Sequence, residues 1–387
     1  MSTPLHVGFI PLVDAAALIV AVDKGFAAEE RLDVTLVREV SWSNVRDKLN
    51  IGLFDAAHLL APVAIASSLG IGHVKVPIVA PFNLGINGNA ITVSPALHAA
   101  IMAELDGDRF DPMATARALA RVVAARRKRG AVPVTFAMTF PFSTHNYQLR
   151  FWMAAGGVDP DEDVRLVVLP PPFMAETLAG GQIDGFCVGA PWNSIAVDRG
   201  VGHILHFVSD ILVRAAEKVL AIRQGWADRN PEVVAALIRA AARGSAFVEE
   251  NRTETARILA QPERIGVDAE VILRSLDGRL KISTDGTLRE SGRYLLIGRE
   301  GADRPDPVQA AWLYAQMARW RQISTSREAL RTTMAVFRPD LYDAALGRGS
   351  EAGQGAAGPI GAFAGPAFDP EDVSGYLRSF TVPRRAS

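Results

Sequence analysis

Hydrophobic and polar positions in the first hundred residues alternate between two periods. Residues 5–13 (LHVGFIPLV), 33–40 (DVTLVREV), 55–62 (DAAHLLAP), 74–82 (VKVPIVAPF) and 89–94 (NAITVS) are short apolar runs of strand length. Between them, residues 14–26 (DAAALIVAVDKGF), 43–53 and 63–69 carry helical spacing, with Asp14 placed to cap the first helix and Gly25 near its end. Strand alternating with helix predicts a parallel α/β sheet.

A helical stretch follows over residues 95–129. Its later part places Ala, Leu and Val on one face and mostly Arg on the other, which reads as a solvated basic face. A second α/β set then begins. Residues 133–140 (PVTFAMTF) predict a strand, and residues 144–155 a helix capped by Ser143 or Thr144 and closed by Gly156 and Gly157. Residues 164–169 predict a strand, 172–179 a helix, and 183–192 (IDGFCVGAPW), 203–208 (HILHFV) and 218–223 (KVLAIR) three strands. Beyond Pro231 the pattern is mostly helical, and the Gly/Ala-rich stretch at 347–365 reads as a surface loop. Within the late helix, PVQAAWLYAQMARW reads as core packing before it reads as a docking element. These sets predict two lobes, 1–94 with 215–387 and 95–214, around a ligand cleft at strand C-termini and helix N-termini.

Composition narrows the function. The chain has 387 residues, 49% of them hydrophobic, enough for a large core and against disorder. Lys and Arg number 41 against 42 Asp and Glu, so no basic excess points to direct nucleic-acid binding. The single cysteine, Cys187, lies in an apolar run and reads as a core residue that excludes an internal disulfide. The N-terminus carries no basic start before Lys24, and Pro11 and Asp14 interrupt its apolar stretch. The expectation is therefore no export signal, no membrane span and a cytoplasmic location.

Catalytic chemistry is hard to find. GxSxG, HExxH and GxxxxGK are absent, and Gly70 and Gly72 lack the rest of a dinucleotide fingerprint. His203 and His206 are three apart in a strand context and so do not share a face, which makes them a weak metal pair. No enzyme activity, metal or cofactor is expected.

The segments FIPLVDAAALIVAVDKGFAAEERLDVTLVRE, SWSNVRDKL, FDAAHLLAP, NGNAITVS, STHNYQLRFWMAAGG, GFCVGAPWNSIAV and EKVLAIR, taken in order over about residues 5–225, resemble the nitrate- and bicarbonate-binding proteins of ABC transporters. That resemblance implies a type II periplasmic-binding-protein fold, α/β with two lobes around a ligand cleft. With no export signal in view, it further implies the cytoplasmic nitrate/nitrite sensors of this family. Those hold a NasT-like RNA-binding antiterminator protein, release it when ligand binds, and so regulate nitrate-assimilation genes. The implied partners are nitrate or nitrite and that antiterminator.

Nitrate is a planar monoanion that only accepts hydrogen bonds, so its site needs donors, a positive charge and flat walls. By resemblance Lys218 supplies the charge, His145 a ligand at a helix N-terminus, and Trp42 an indole. Asn89 offers an amide and Gly189 a close backbone approach, while Trp192 and Asn193 shape the same wall more weakly. Asp14 either caps its helix or orients the lysine. Bicarbonate carries a hydroxyl and wants an acceptor at the charge position. Strand alternation should turn Glu217 away from Lys218, which favours nitrate or nitrite. The alternative function is the binding component of a nitrate transporter whose export signal has been removed. A third reading, an enzyme on the same fold such as a thiamin-precursor synthase, lacks a visible nucleophile or metal cluster.

Overall fold

The computed structural model describes residues 2–348 and 360–380. Most of the predicted elements are present, but two compact units share them. The first unit takes the chain up to Asn87, then Arg214–Asp277, then the described part of Leu295–Ile360; the second takes Gly88–Val213, Gly278–Tyr294 and the described residues from Gly361.

In the first unit, β1 (Thr3–Phe9), β2 (Leu32–Arg38), β3 (Ala56–Leu60) and β4 (Ile78–Asn87) form one sheet with two later strands. In the second unit, β5 (Asn89–Val93), β6 (Thr135–Met138), β7 (Arg165–Val168), β8 (Gly185–Gly189) and β9 (His203–Phe207) form another. The first sheet is completed by β10 (Ala216–Arg223) and, beyond a hairpin of β11 (Arg279–Lys281) and β12 (Leu288–Glu290), by β13 (Leu295–Leu296). The strand orders are β13-β4-β10-β3-β1-β2 and β7-β6-β8-β5-β9.

Neither sheet is wholly parallel, contrary to the reading of the alternation. β1 is parallel to β2 and β3, but β10 runs antiparallel between β3 and β4. Likewise β6 is parallel to β7 and β8, while β5 runs antiparallel between β8 and β9. Each reversed strand is the first that its unit receives after the chain leaves the other, without the helical crossover that a parallel neighbour needs. Between β4 and β5 stands one residue, Gly88, and both it and Asn87 are left-handed (φ 88° and 62°). The Asn87 side chain offsets part of that strain by accepting from the Ala215 N–H at 3.0 Å.

Lobe boundaries follow pairing, not position along the chain. The sequence assigns β5 to the first lobe, yet β5 lies between β8 and β9 in the second unit. The hairpin and the segment from Gly361 also join that unit. Ile204 donates to the Ile282 carbonyl at 2.9 Å, Arg289 pairs with Asp210 at 2.7 Å, and Val213 donates to the Gly361 carbonyl at 3.0 Å. Local sequence gives no sign of such long-range bonds. Residues 349–359 of the Gly/Ala-rich stretch lie outside the described residues.

Packing within each unit is tight. In the first, helix Pro231–Glu250 crosses helix Ala16–Asp23 at Gly244, where a Cβ would stand 2.2 Å from the Ala17 carbonyl oxygen. Only glycine fits there. Helix Pro307–Arg319 buries Trp312, Tyr314 and Met317 in the same unit, in keeping with a core role. In the second unit, helix Pro112–Lys128 buries its Ala, Leu and Val face and leaves most of its arginines toward solvent. Cys187 is buried in β8. Among the described residues no helix is long and apolar enough to cross a membrane.

Candidate functional site

Three parallel strands of the first unit end along one edge, and the residues that follow them carry its polar cluster. After β1 comes a 3-10 turn, Val13–Ala15, which holds Asp14. After β2, Ser41 caps helix Trp42–Ile51 by accepting from the Asn44 N–H at 3.3 Å, so Trp42 is that helix's first residue. His58 is inside β3, and β10 enters the same edge with Glu217 and Lys218, the latter opposite Leu60.

These side chains form one buried network. Lys218 is fully buried, with Nζ 3.0 Å from Asp14 Oδ2 and 3.0 Å from Glu217 Oε1. His58 Nε2 lies 2.9 Å from Asp14 Oδ1, and the backbone N–H of Ile10 faces His58 Nδ1 at 3.4 Å. The backbone donor leaves Nδ1 as acceptor, so Nε2 carries the proton and donates it to Asp14. The ammonium also stands 5.4 Å from the centre of the Trp42 ring, and the Trp42 and His58 rings are 5.4 Å apart.

Two expectations are corrected here. Asp14 does not cap its helix: neither turn nor helix has a side-chain cap there, and the carboxylate is spent on Lys218 and His58. Nor does Glu217 point away from Lys218. β10 is irregular against β4, where Ala216 faces Ile86 and Lys218 faces Gly85, so an extra residue sits between them. A bulge of this kind breaks the two-residue alternation and lets neighbouring side chains reach one place.

Charge in the cluster is decided by pairing. Burial raises the Asp14 carboxyl, but the Lys218 charge and the hydrogen bonds from His58 and Lys218 outweigh it and hold it well below the usual carboxylate range. Burial likewise disfavours the Lys218 ammonium, and the charges of Asp14 and Glu217 overcome this and raise it. For His58 burial wins: its pKa is lowered despite Asp14, with the Lys218 charge adding to the effect. The result is a charged Lys218–Asp14 pair and a neutral imidazole. The Trp42 indole N–H, buried beside them, has no hydrogen-bond partner among the described residues.

The second unit gathers a different set, again at one strand edge. Asn89 opens β5 and pairs in register with Gly189, which closes β8 before the cis Ala190–Pro191 bond. Helix Thr144–Ala155 follows β6 and is capped by Ser143, whose hydroxyl accepts from the Asn146 N–H at 3.1 Å, as the sequence predicts. This sets His145 in the first turn, fully buried, with Nδ1 3.1 Å from the Thr139 hydroxyl. One turn on, Gln148 Oε1 accepts from Asn89 Nδ2 at 3.1 Å and faces Cys187 Sγ at 3.6 Å. Gln148 Nε2 and the Thr144 hydroxyl are buried without a hydrogen-bond partner among the described residues. Asn193 accepts from the Thr92 hydroxyl at 2.8 Å and donates to the Val188 carbonyl at 2.7 Å, which fixes the wall behind β8.

The five candidates thus fall into two groups, Trp42 with Lys218 and Asn89 with Gly189 and His145. Sequence reading missed His58 and Gln148 and turned Glu217 the wrong way. Gln148 sits at helical spacing from Thr144 and could have been found from that; His58 carries no local signal. His203 and His206 do not converge: His203 stacks on His98 at 4.3 Å, and His206 bonds the Thr115 hydroxyl at 2.6 Å. Burial, then the Arg289 charge, lowers His206 to about 3, so it is neutral near pH 7. Among the described residues no group of three or more His, Cys, Asp or Glu side chains could hold a metal ion.

Two mixed α/β units with buried polar groups at their strand ends define a periplasmic-binding-protein fold. Solved structures agree. The periplasmic nitrate-binding protein NrtA from Synechocystis PCC 6803 superposes with a TM-score of 0.87 at 28% identity, over 98% of this chain and 99% of that one. The aliphatic sulphonate-binding protein SsuA from Escherichia coli shares the fold alone, with a TM-score of 0.58 at 14% identity over 88% of this chain and 99% of that one. Residues 1–262 match the NMT1-like family, and the chain belongs to it, among the substrate-binding proteins of nitrate and bicarbonate ABC transporters. The nitrate/nitrite binding protein NrtA of Synechococcus elongatus is 31% identical over 96% of this chain and 84% of its own length. The nitrate import ATP-binding protein NrtC of Synechocystis sp. is 33% identical over 98% of this chain, which spans 55% of that relative, about half its length.

Proposed function

We propose that the chain binds nitrate or nitrite, with Lys218 and Trp42 as ligand residues of its first unit and with Asn89, His145 and Gly189, taken from the family resemblance, as further candidates. The observation that carries this reading is the Lys218 ammonium beside a buried Trp42 indole N–H that has no partner among the described residues. A buried donor left without an acceptor costs about 1–3 kcal/mol, and an acceptor-only anion relieves that cost. Gln148 Nε2 adds a further donor of the same kind. Similarity to the nitrate-binding NrtA proteins supports the choice of anion. Three or four charge-assisted contacts, less ordering costs, give affinity near micromolar, about −8 kcal/mol.

The function we favour is that of a NasS-type sensor, which holds a NasT-like antiterminator and releases it when the anion binds. Ligand releases a partner only to the extent that it prefers the partner-free state. The reading rests on the family motifs, which the sensors share with the transporter proteins. A second reading, a transporter's binding component, is favoured by the import roles named for the NrtC relatives. Bicarbonate also returns to consideration, because Glu217 stands at the ammonium and supplies the acceptor that strand alternation had denied.

Isothermal titration with nitrate, nitrite and bicarbonate tests the ligand. Micromolar nitrate or nitrite binding that Lys218→Glu abolishes supports the site, and retained affinity in that variant refutes it. Size-exclusion of the chain with the antiterminator tests the sensor role: a complex that dissociates on nitrate supports it, and no complex, or one that ignores nitrate, refutes it.

A further inference from the structure

An ammonium has three N–H donors. In Lys218 two of them meet carboxylates, Asp14 Oδ2 and Glu217 Oε1, both at 3.0 Å. The third meets no acceptor among the described residues, and the ammonium stands 5.4 Å from the ring of Trp42, whose indole N–H is also without a partner among them. His58 donates to Asp14 as a neutral ring and adds no charge. The Lys218 ammonium is thus shared between two acidic side chains before any ligand reaches it.

We propose that Asp14 and Glu217 are specificity-determining residues, which restrict the ligand at Lys218 to a small monoanion and exclude dianions such as sulfate. The proposal rests on Lys218 being the cation that meets the anion. A buried ammonium attracts a dianion about twice as strongly as a monoanion, and the dianion loses more on leaving water. Two carboxylates on the same nitrogen add a repulsion that also grows with ligand charge. At an effective dielectric of about 20 and a separation of about 6 Å, one carboxylate weakens binding on the order of a hundredfold per unit of ligand charge. That penalty counts once for nitrate and twice for sulfate. A monoanion recovers it through the third ammonium donor and the indole, whereas a dianion does not. The lysine's pairing with Asp14 and Glu217 also keeps it charged where burial alone would discharge it.

The test is isothermal titration with nitrate and sulfate at fixed ionic strength, on the full chain and on Asp14→Asn, Glu217→Gln, Glu217→Asp and Lys218→Met. The expected result is nitrate binding with much weaker, still measurable, sulfate binding in the parent chain. In Asp14→Asn and Glu217→Gln the sulfate-to-nitrate affinity ratio rises at least tenfold. Structural damage lowers both affinities alike and leaves the ratio in place, so the ratio reports charge and not bracing. Glu217→Asp, which keeps the charge, retains the parent ratio. An unchanged ratio in both neutral variants, with nitrate binding still dependent on Lys218, overturns this proposal and leaves the nitrate site standing. Nitrate binding that survives Lys218→Met overturns the site itself, and this proposal with it. If Glu217→Gln does not fold, Asp14→Asn decides.

Discussion

In the first unit the candidate donors are an ammonium and an indole, and the ammonium is locked to two carboxylates. In the second they are an amide, an imidazole and a glycine backbone, arranged around Gln148 with no carboxylate or ammonium among them. The difference teaches where fragility lies. Removing a charge from the first cluster leaves its partners buried and uncompensated, whereas removing a neutral donor from the second costs one hydrogen bond.

The sharpest break of that contrast is Lys218→Met. It leaves Asp14 and Glu217 buried without their cation, so unfolding in urea should show a loss of roughly 3–5 kcal/mol, with nitrate binding gone from calorimetry. A stability unchanged within 1 kcal/mol would mean that the cluster is more hydrated than its burial says.

A second contrast compares a buried carboxyl of the first unit with a half-buried one. Asp14 faces Lys218 and is held low, while Asp303, which accepts from the Ser245 hydroxyl at 2.8 Å and the Gly298 N–H at 3.1 Å, is pushed up by burial to about 6. The signs are opposite. Asp14 binds its proton less tightly folded than unfolded, so its contribution is present above about pH 4 and fades as pH falls through its lowered folded value. Asp303 binds its proton more tightly when folded, so stability falls as pH rises from about 4 to about 6, by on the order of 3 kcal/mol. Asp303→Asn keeps an acceptor for both donors and should abolish that decline in denaturation curves taken between pH 4 and 7. A decline that persists would place its origin elsewhere.

Smaller effects belong to the second unit. His145→Ala and Asn89→Ala should each weaken nitrate on the order of tenfold, measured by titration, because each removes one hydrogen bond to an anion. A loss as complete as that of Lys218→Met would erase the distinction between the units. Smallest is Ser143→Ala, which removes the helix cap and should cost about 1 kcal/mol of stability in thermal or urea melts. Nitrate affinity should barely change, since the helix itself persists.

Sequence and tertiary structure divided the work along a physical line. Features written in neighbouring residues were legible: the alternation of strand and helix, the helix over residues 144–155 with its Ser143 cap, Trp42 at a helix start, and Cys187 inside a buried strand. Local spacing fixes backbone periodicity and capping, because those depend on atoms a few residues apart. The fold class was also legible, through motifs matched in order along the chain. What the chain could not announce were meetings between distant segments. Lys218 with Asp14, Asp14 with His58, and Asn89 with Gln148 all join residues 44 or more positions apart. The antiparallel entry of β5 and β10, and the hairpin's place in the second unit, depend on which sheet a strand reaches after the chain changes unit. Glu217 shows the limit most clearly. Alternation along β10 points it away from Lys218, and the irregular register against β4 brings it to the ammonium. A register shift belongs to two strands at once, so only their pairing could decide it.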